Sequence, residues 1–122
     1  MLGHLPLTRI HLVREYAEAL ETLVRQATDV SAPPPIAIAH AMHHYTAMIA
    51  RRLGVGAPPH ANGLTTITLH ETRQQLDEFD TLLARAHHTR LISPTRYDLI
   101  TGIRTALEAE IAALQREASA HE

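Results

Sequence analysis

Three histidines lie within the stretch HAMHHYTAM, residues 40–48. His40 and His44 are four residues apart, so on one helix face both imidazoles could reach the same metal ion. Zinc takes four protein ligands, or three and a water, and this pair therefore needs further ligands. No histidine in the sequence has a Glu three residues before it, which argues against the Glu-x-x-His motif of di-iron bundles. We keep His40 and His44 as metal-ligand candidates and assign no cofactor.

The same histidines are candidates for a contact surface. If residues 35–53 form a helix, His40 and His44 lie nearly opposite the apolar stripe, and His43 lies on its flank. Three interpretations remain open: a solvated face, a face that binds a partner, or a metal shared between two chains. A partner contact there would be sensitive to pH, because imidazole gains a charge near neutrality. The residues of this candidate partner face are His40, His43, His44, Ala47 and Arg51.

A second group of cationic residues follows in ARAHHTRLISPTR, residues 84–96. Two interpretations apply to it. Cations near the end of a helix are stabilised by the helix dipole and by free carbonyl groups, which needs no ligand. Alternatively, the group is a corner of the molecule that binds an anion or an acidic partner. The residues of this corner are Arg85, His87, His88, Arg90 and Arg96.

The elements that position these residues are bounded by clusters of Pro and Gly at 33–35, 54–63 and 93–94. Between the clusters, apolar residues recur at spacings of three and four, which predicts helices over about 8–28, 35–53, 68–91 and 94–119. Thr68 and Glu71 have the spacing of a capping box, although residues 64–68 also fit a short extended segment. The sequence predicts an all-α, single-domain fold over 1–122, an up-down-up-down antiparallel four-helix bundle.

We expect one buried apolar stripe on each helix. The expected residues are Val13, Tyr16, Leu20, Leu23 and Ala27 in the first helix, Ile38, Met42, Tyr45, Ile49 and Leu53 in the second, Leu69, Leu76, Phe79, Leu83 and Ala86 in the third, and Tyr97, Ile100, Leu107, Ile111 and Leu114 in the fourth. The fourth helix is the longest. We expect its apolar residues beyond Leu107 to outrun the other helices and to pack on a second copy of the chain. A homodimer, another protein partner, or both are therefore predicted.

Composition excludes several classes of function. The sequence has no Cys and no Lys, so thiolate metal sites, Cys nucleophiles and lysine Schiff bases are absent. A net charge of −2 disfavours nucleic-acid binding, and no segment is apolar enough to span a membrane. With no secretory signal at the N-terminus, a cytoplasmic location is expected.

No catalytic residue is assigned, because no nucleophile elbow, phosphate loop or paired carboxylates in an apolar setting are present. The sequence favours a non-catalytic, self-associating helical interaction protein that acts as an adaptor, accessory subunit or regulator. The alternative is a helical bundle, either an enzyme or a binding protein, that binds a metal or a small ligand through His40 and His44.

Overall fold

The computed structural model of the chain describes residues 7–28, 36–57 and 64–121. This part contains four helices and no strand. The helices are α1 (Leu7–Ala27), α2 (Ile36–Arg52), α3 (Thr66–His88) and α4 (Pro94–His121). Each helix packs against two others: α1 against α2 and α4, and α3 against α2 and α4. The all-α four-helix bundle predicted from the sequence is confirmed.

Contacts between helices show that neighbours run in opposite directions. Arg9, at the start of α1, pairs with Glu110 near the end of α4 at 2.6 Å. Arg14, also in the first half of α1, donates to the carbonyl of Leu53 just past α2 at 2.9 Å. Arg52 at the end of α2 pairs with Glu71 near the start of α3. The bundle is therefore up-down-up-down, as the sequence predicts.

Each helix buries residues that alternate at spacings of three and four, the seam of a coiled coil. The seam residues are Ile10, Val13, Ala17, Leu20, Val24 and Ala27 in the first helix, Ala39, Met42, Thr46, Ile49 and Leu53 in and after the second, Leu69, Thr72, Leu76, Phe79, Leu83 and Ala86 in the third, and Ile100, Leu107, Ile111, Leu114 and Ala118 in the fourth.

Three of the five stripe residues expected in each of α1 and α2 are buried, and the other two in each helix are displaced by one position. Tyr16, Leu23, Ile38 and Tyr45 are only partly buried and pack against the edge of the core. The positions beside them, which carry smaller residues, face inward. An α-helix turns by about 100° per residue, so a shift of one position rotates the buried face and moves flanking residues toward or away from a neighbouring helix.

A charged residue completes the seam of α4. Arg104 stands where the spacing requires a core residue between Ile100 and Leu107, and its side chain is only 14% exposed. One nitrogen of its guanidinium, Nη2, lies 2.7 Å from Asp80 and 2.6 Å from Glu108. The alkyl part of the side chain thus fills a core position, while the charge is neutralised between α3 and α4.

Gly54 and Arg14 cap the C-terminal end of α2. Gly54 has a φ of +80°, and the N–H of Val55 donates to the carbonyl of Ala50 at 3.0 Å, as in a Schellman motif. Arg14 is 7% exposed and also donates to the carbonyl of Ala57 at 3.1 Å. Burial lowers the pKa of Arg14, which remains a cation at neutral pH.

The start of α3 differs from the prediction. Thr65 is the cap, in extended conformation, and its side chain accepts from the N–H of Thr68 at 3.0 Å. The side chain of Thr68 in turn accepts from the N–H of Thr65 at 2.8 Å, so the capping box lies three residues earlier than expected. Glu71 instead pairs with Arg52 of α2. The helix also ends earlier, at His88 rather than near residue 91.

The part of α4 expected to lie uncovered is buried within the chain. Ile111, Leu114 and Ala118 are fully buried by the other helices. The reason given for a second copy beyond Leu107 is therefore wrong, although a homodimer through another surface stays a prediction. In the described part of the chain, no helix combines the length and the apolar character needed to cross a membrane.

We expect Gly54→Ala to lower the free energy of unfolding by about 1–3 kcal/mol. The alanine would have to keep the positive φ of Gly54, and its new Cβ would lie 2.6 Å from Nη2 of the buried Arg14. Gly102, an exposed position of α4 with open space around it, is the matched control, and Gly102→Ala should stabilise by about 0.5–1 kcal/mol. Urea unfolding followed by circular dichroism measures both. Equal effects of the two substitutions would contradict the role of Gly54.

We expect Asp80→Asn to raise the free energy of unfolding at pH 7. Burial is the largest cause that raises the pKa of Asp80, and repulsion from Asp77 and Glu108 adds to it, so the pKa lies above its ordinary value although Arg104 opposes the rise. A carboxyl whose pKa is higher in the folded chain favours folding while protonated, and this advantage is lost as the pH rises through the folded-state pKa.

Unfolding measured at pH 7 and near pH 3 tests this expectation, because the difference between the wild type and Asp80→Asn should disappear in acid. Asp77→Asn is the control, since Asp77 contacts the same guanidinium but is 76% exposed. A loss of stability in Asp80→Asn at pH 7 would show that the ion pair outweighs burial.

Candidate functional site

The face of α2 that carries the histidines is largely open to solvent. His40, His44 and Arg51 are exposed, and Ala47 is half-buried. The ring of His44 meets the ring of Tyr45 edge-on, with centroids 6.0 Å apart. His40 and His44 thus lie on one outward face, as the helix geometry predicts.

His43 is turned away from the other two histidines and toward α1. It is half-buried, and its Nε2 forms a hydrogen bond with the hydroxyl of Thr28. The rotation of α2 that brings Thr46 into the core moves His43 to this flank. On the opposite flank, a hydrogen bond to Glu78 of α3 raises the pKa of Tyr45. The expected partner face is therefore divided, because His43 joins two helices of the same chain.

Among the described residues, none joins His40 and His44 as a third metal ligand. Within residues 7–28, 36–57 and 64–121, no three His, Asp or Glu side chains lie together in a way that would hold a metal ion. A single pair of imidazoles does not complete a zinc site.

The cationic residues of 84–96 lie around the turn from α3 to α4. At the end of α3, the N–H of Leu91 donates to the backbone carbonyl of Ala86 at 2.9 Å, and the N–H of Arg90 donates to the backbone carbonyl of His87 at 3.1 Å. These two bonds form a Schellman motif in which Arg90 occupies the left-handed position, with a φ of +61°. Glycine is the usual residue there, so an arginine at this position is strained.

The start of α4 is capped by Ser93. Its hydroxyl accepts from the N–H of Arg96 at 3.2 Å, and Pro94 takes the first helical position, where its missing N–H costs no hydrogen bond. The first turn of α4 contains no acidic residue. The positive end of the helix dipole therefore adds to the charge of the nearby side chains.

A cleft of about 610 Å³ opens at this turn. Its lining residues are His87, His88, Arg90, Ile92, Ser93 and Pro94. The ring of His87 stacks on Tyr97, with centroids 4.0 Å apart and planes inclined by 24°. Arg85 and Arg96 are exposed and lie within one helical turn of the lining residues. Three of the five predicted residues, His87, His88 and Arg90, line this concave surface, and Arg85 and Arg96 are close to it in the sequence. We call the five residues the basic corner.

The arginines of the basic corner differ from most others in the chain. Among the described residues, five arginines form ion pairs with carboxylates: Arg9, Arg25, Arg52, Arg73 and Arg104. Among the described carboxylates, none pairs with Arg85, Arg90 or Arg96, even though Asp98 follows Arg96 closely. Unpaired surface cations raise the local potential more than paired ones, so this corner is a positive pole.

Sequence reasoning did not assign two contributors to this site. Tyr97 was expected in the core, yet it is half-buried and holds the ring of His87. Ile92 is buried and forms an apolar part of the cleft. The sequence signal for the turn was Ser-Pro, which indicates a helix start but not what packs beside it.

A second surface, on α1, carries the opposite charge. It is an open groove of about 520 Å³, which we call the α1 groove. Its lining residues are Glu15, Glu18, Ala19, Thr22 and Leu23. Glu15 and Glu18 are exposed, and no ion pair joins them to another described residue.

Comparison of the chain with protein-family models, with curated proteins and with solved structures gave no match. Its function is therefore argued from its own residues and their geometry.

We expect Arg90→Gly to raise the free energy of unfolding by about 0.5–1 kcal/mol, because glycine adopts the left-handed conformation without a steric penalty. Arg90 is exposed and forms no ion pair with a described carboxylate, so little native contact energy is lost. Thermal or urea unfolding measures the change. Arg85→Gly, in the last turn of the same helix, is the control and should destabilise by about 1 kcal/mol. Destabilisation by both substitutions would refute strain at Arg90.

Proposed function

We propose that the chain is a non-catalytic helical interaction protein, an adaptor or accessory subunit, that binds an acidic protein partner at the basic corner. The observation that supports this most is the absence of carboxylate partners for Arg85, Arg90 and Arg96 within the described chain. Their charges, with the dipole of α4, are available to a carboxylate-rich surface.

The strained conformation of Arg90 also supports this proposal. Left-handed residues other than glycine cost free energy and are found where the surrounding structure or function retains them. Here the side chain lines the cleft and has no ion pair with the described residues of its own chain. An external anion is the kind of ligand that would use it.

A protein partner fits the corner better than a small substrate does. The three arginine side chains are exposed, and only Arg90 lines the cleft, so they do not converge in an enclosed, water-excluding pocket. Nucleic acid fits less well, because the chain has a net charge of −2 and the α1 groove is acidic. We retain a cytoplasmic location and self-association as part of the proposal.

Binding of a labelled oligoglutamate peptide tests the proposal, with affinity measured by fluorescence anisotropy at low salt. Removing two exposed cations from such a site typically weakens binding by about 1–2 kcal/mol, or roughly tenfold. We expect this loss in the double variant Arg90→Ala, Arg96→Ala. Affinity should also fall as salt is added.

The matched control is the double variant Arg51→Ala, Arg116→Ala. It removes the same charge from two exposed arginines that also form no ion pair with described residues but lie away from the corner. We expect this variant to bind the peptide almost as well as the wild type. Equal losses in both variants, or no binding by the wild type at low salt, would refute the basic corner as the site.

A further inference from the structure

The outer surface between α1 and α4 can be located from an ion pair. Arg9 of α1 contacts Glu110 of α4, so these two positions face each other across the helices. Residues seven positions apart on a coiled-coil helix lie on the same flank. Leu23 therefore lies on the flank of α1 that faces α4, and Arg96 lies on the flank of α4 that faces α1. The surface formed by these flanks and the residues just outside them is called the α1–α4 face.

The α1 groove belongs to this face. Leu23 lines it, and Ala19, four residues earlier, lies on the same side of the helix. Both are half-buried, so the floor of the groove is apolar, while the exposed Glu15 and Glu18 form one end. Ala19 leaves room for a larger side chain above it.

An apolar side chain that would fit into the α1 groove projects from the same face. Leu99 is 53% exposed, one of only two large apolar side chains that are exposed in the described part of the chain. Arg96, three residues before it, lies beside it on the surface of α4. The face thus carries an apolar knob next to a cation, and an apolar groove next to two carboxylates.

Leu99 with Arg96 is complementary in shape and charge to the α1 groove with its two carboxylates, and both lie on one side of the molecule. A two-fold axis through the α1–α4 face would bring the knob of each copy to the groove of the other, so both contacts form twice. Charges that find no partner within the described chain would then find one between chains: Arg96 with Glu15 and Glu18.

We propose that a second copy of this chain binds on the α1–α4 face, with Leu99 of each copy in the α1 groove of the other and Arg96 against Glu15 and Glu18. This rests on the proposed function, because Arg96 belongs to the basic corner, and it names the acidic partner as the chain itself. The dimer surface is thereby assigned to the start of α4 instead of the region beyond Leu107.

Sedimentation velocity over a range of micromolar concentrations tests the proposal. The wild type should form a dimer. Two variants should each be monomeric under the same conditions: Arg96→Glu, and the double variant Glu15→Arg, Glu18→Arg. In each, like charges meet at both contacts of the dimer.

An equimolar mixture of the two variants is the decisive sample. In the mixed dimer, Glu at position 96 of one copy meets Arg at 15 and 18 of the other, and the second contact is wild type. The mixture should therefore recover at least about tenfold in dimer affinity over either variant alone. A mixture that stays monomeric would overturn the proposal, as would a monomeric wild type.

The apolar contact has its own matched control. Leu99→Glu should abolish the dimer, whereas Ile67→Glu, at the other exposed apolar position and 67% exposed, should leave it intact. Equal effects of the two substitutions would overturn the assigned contact. Circular dichroism establishes that each variant keeps its helical content.

Oligoglutamate binding to the neutral variant Leu99→Asn tells failure of the dimer apart from failure of the proposed function. This variant should also be monomeric, and it keeps the five residues of the basic corner without placing a carboxylate beside Arg96. If the wild type is monomeric and Leu99→Asn still binds the peptide, the dimer is refuted and the acidic-partner function stands. If neither protein binds the peptide, the proposed function fails, and the charged contact of the dimer fails with it.

Discussion

Burial of the seam, where apolar residues alternate at spacings of three and four, is the interaction on which the rest of this bundle depends. Once one stripe of each helix faces the axis, the positions beside the stripe are fixed as contacts between neighbouring helices. Arg9 with Glu110 and Arg52 with Glu71 occupy such flanks. Whatever lies outside the flanks is left to solvent or to a partner, so the seam also determines which residues are available for binding.

Two buried arginines fix how the helices are aligned along their axes, which an entirely apolar core would specify only weakly. Arg104 takes a seam position and reaches carboxylates of α3 and α4, so sliding one helix past the other would leave its charge buried without a partner. Arg14 donates to carbonyls at the end of α2, which fixes the height of α1 against that helix. A polar group at a core position often sets register in this way, at some cost in stability.

The distribution of charge follows from the same packing. Among the described residues, several carboxylates and guanidinium groups near the flanks pair within the chain, while three arginines without an ion pair belong to the basic corner and two carboxylates without one line the α1 groove. A chain with a net charge of only −2 can therefore present two poles of opposite sign. Arg90, with its left-handed backbone conformation, lies at the positive pole. Its strain lowers the stability of the fold at a surface for which we propose a binding role.

The sequence by itself determined the helices, their order and the all-α class, because the Pro and Gly clusters and the apolar spacing are local signals. It also indicated Gly54 as a helix end and grouped the cations of 84–96. The buried residues expected for α3, and all but Tyr97 of those expected for α4, are buried, so only in α1 and α2 did the tertiary structure decide the exact buried face. In α2 this choice put Thr46 inside and brought His43 against Thr28, which separated it from His40 and His44. The pairing of charges was decided in the same way, since ion pairs such as Arg9 with Glu110 join residues far apart in the chain. Periodicity leaves the buried face uncertain by about one residue, and such a rotation is settled only by the volumes that the neighbouring helices present.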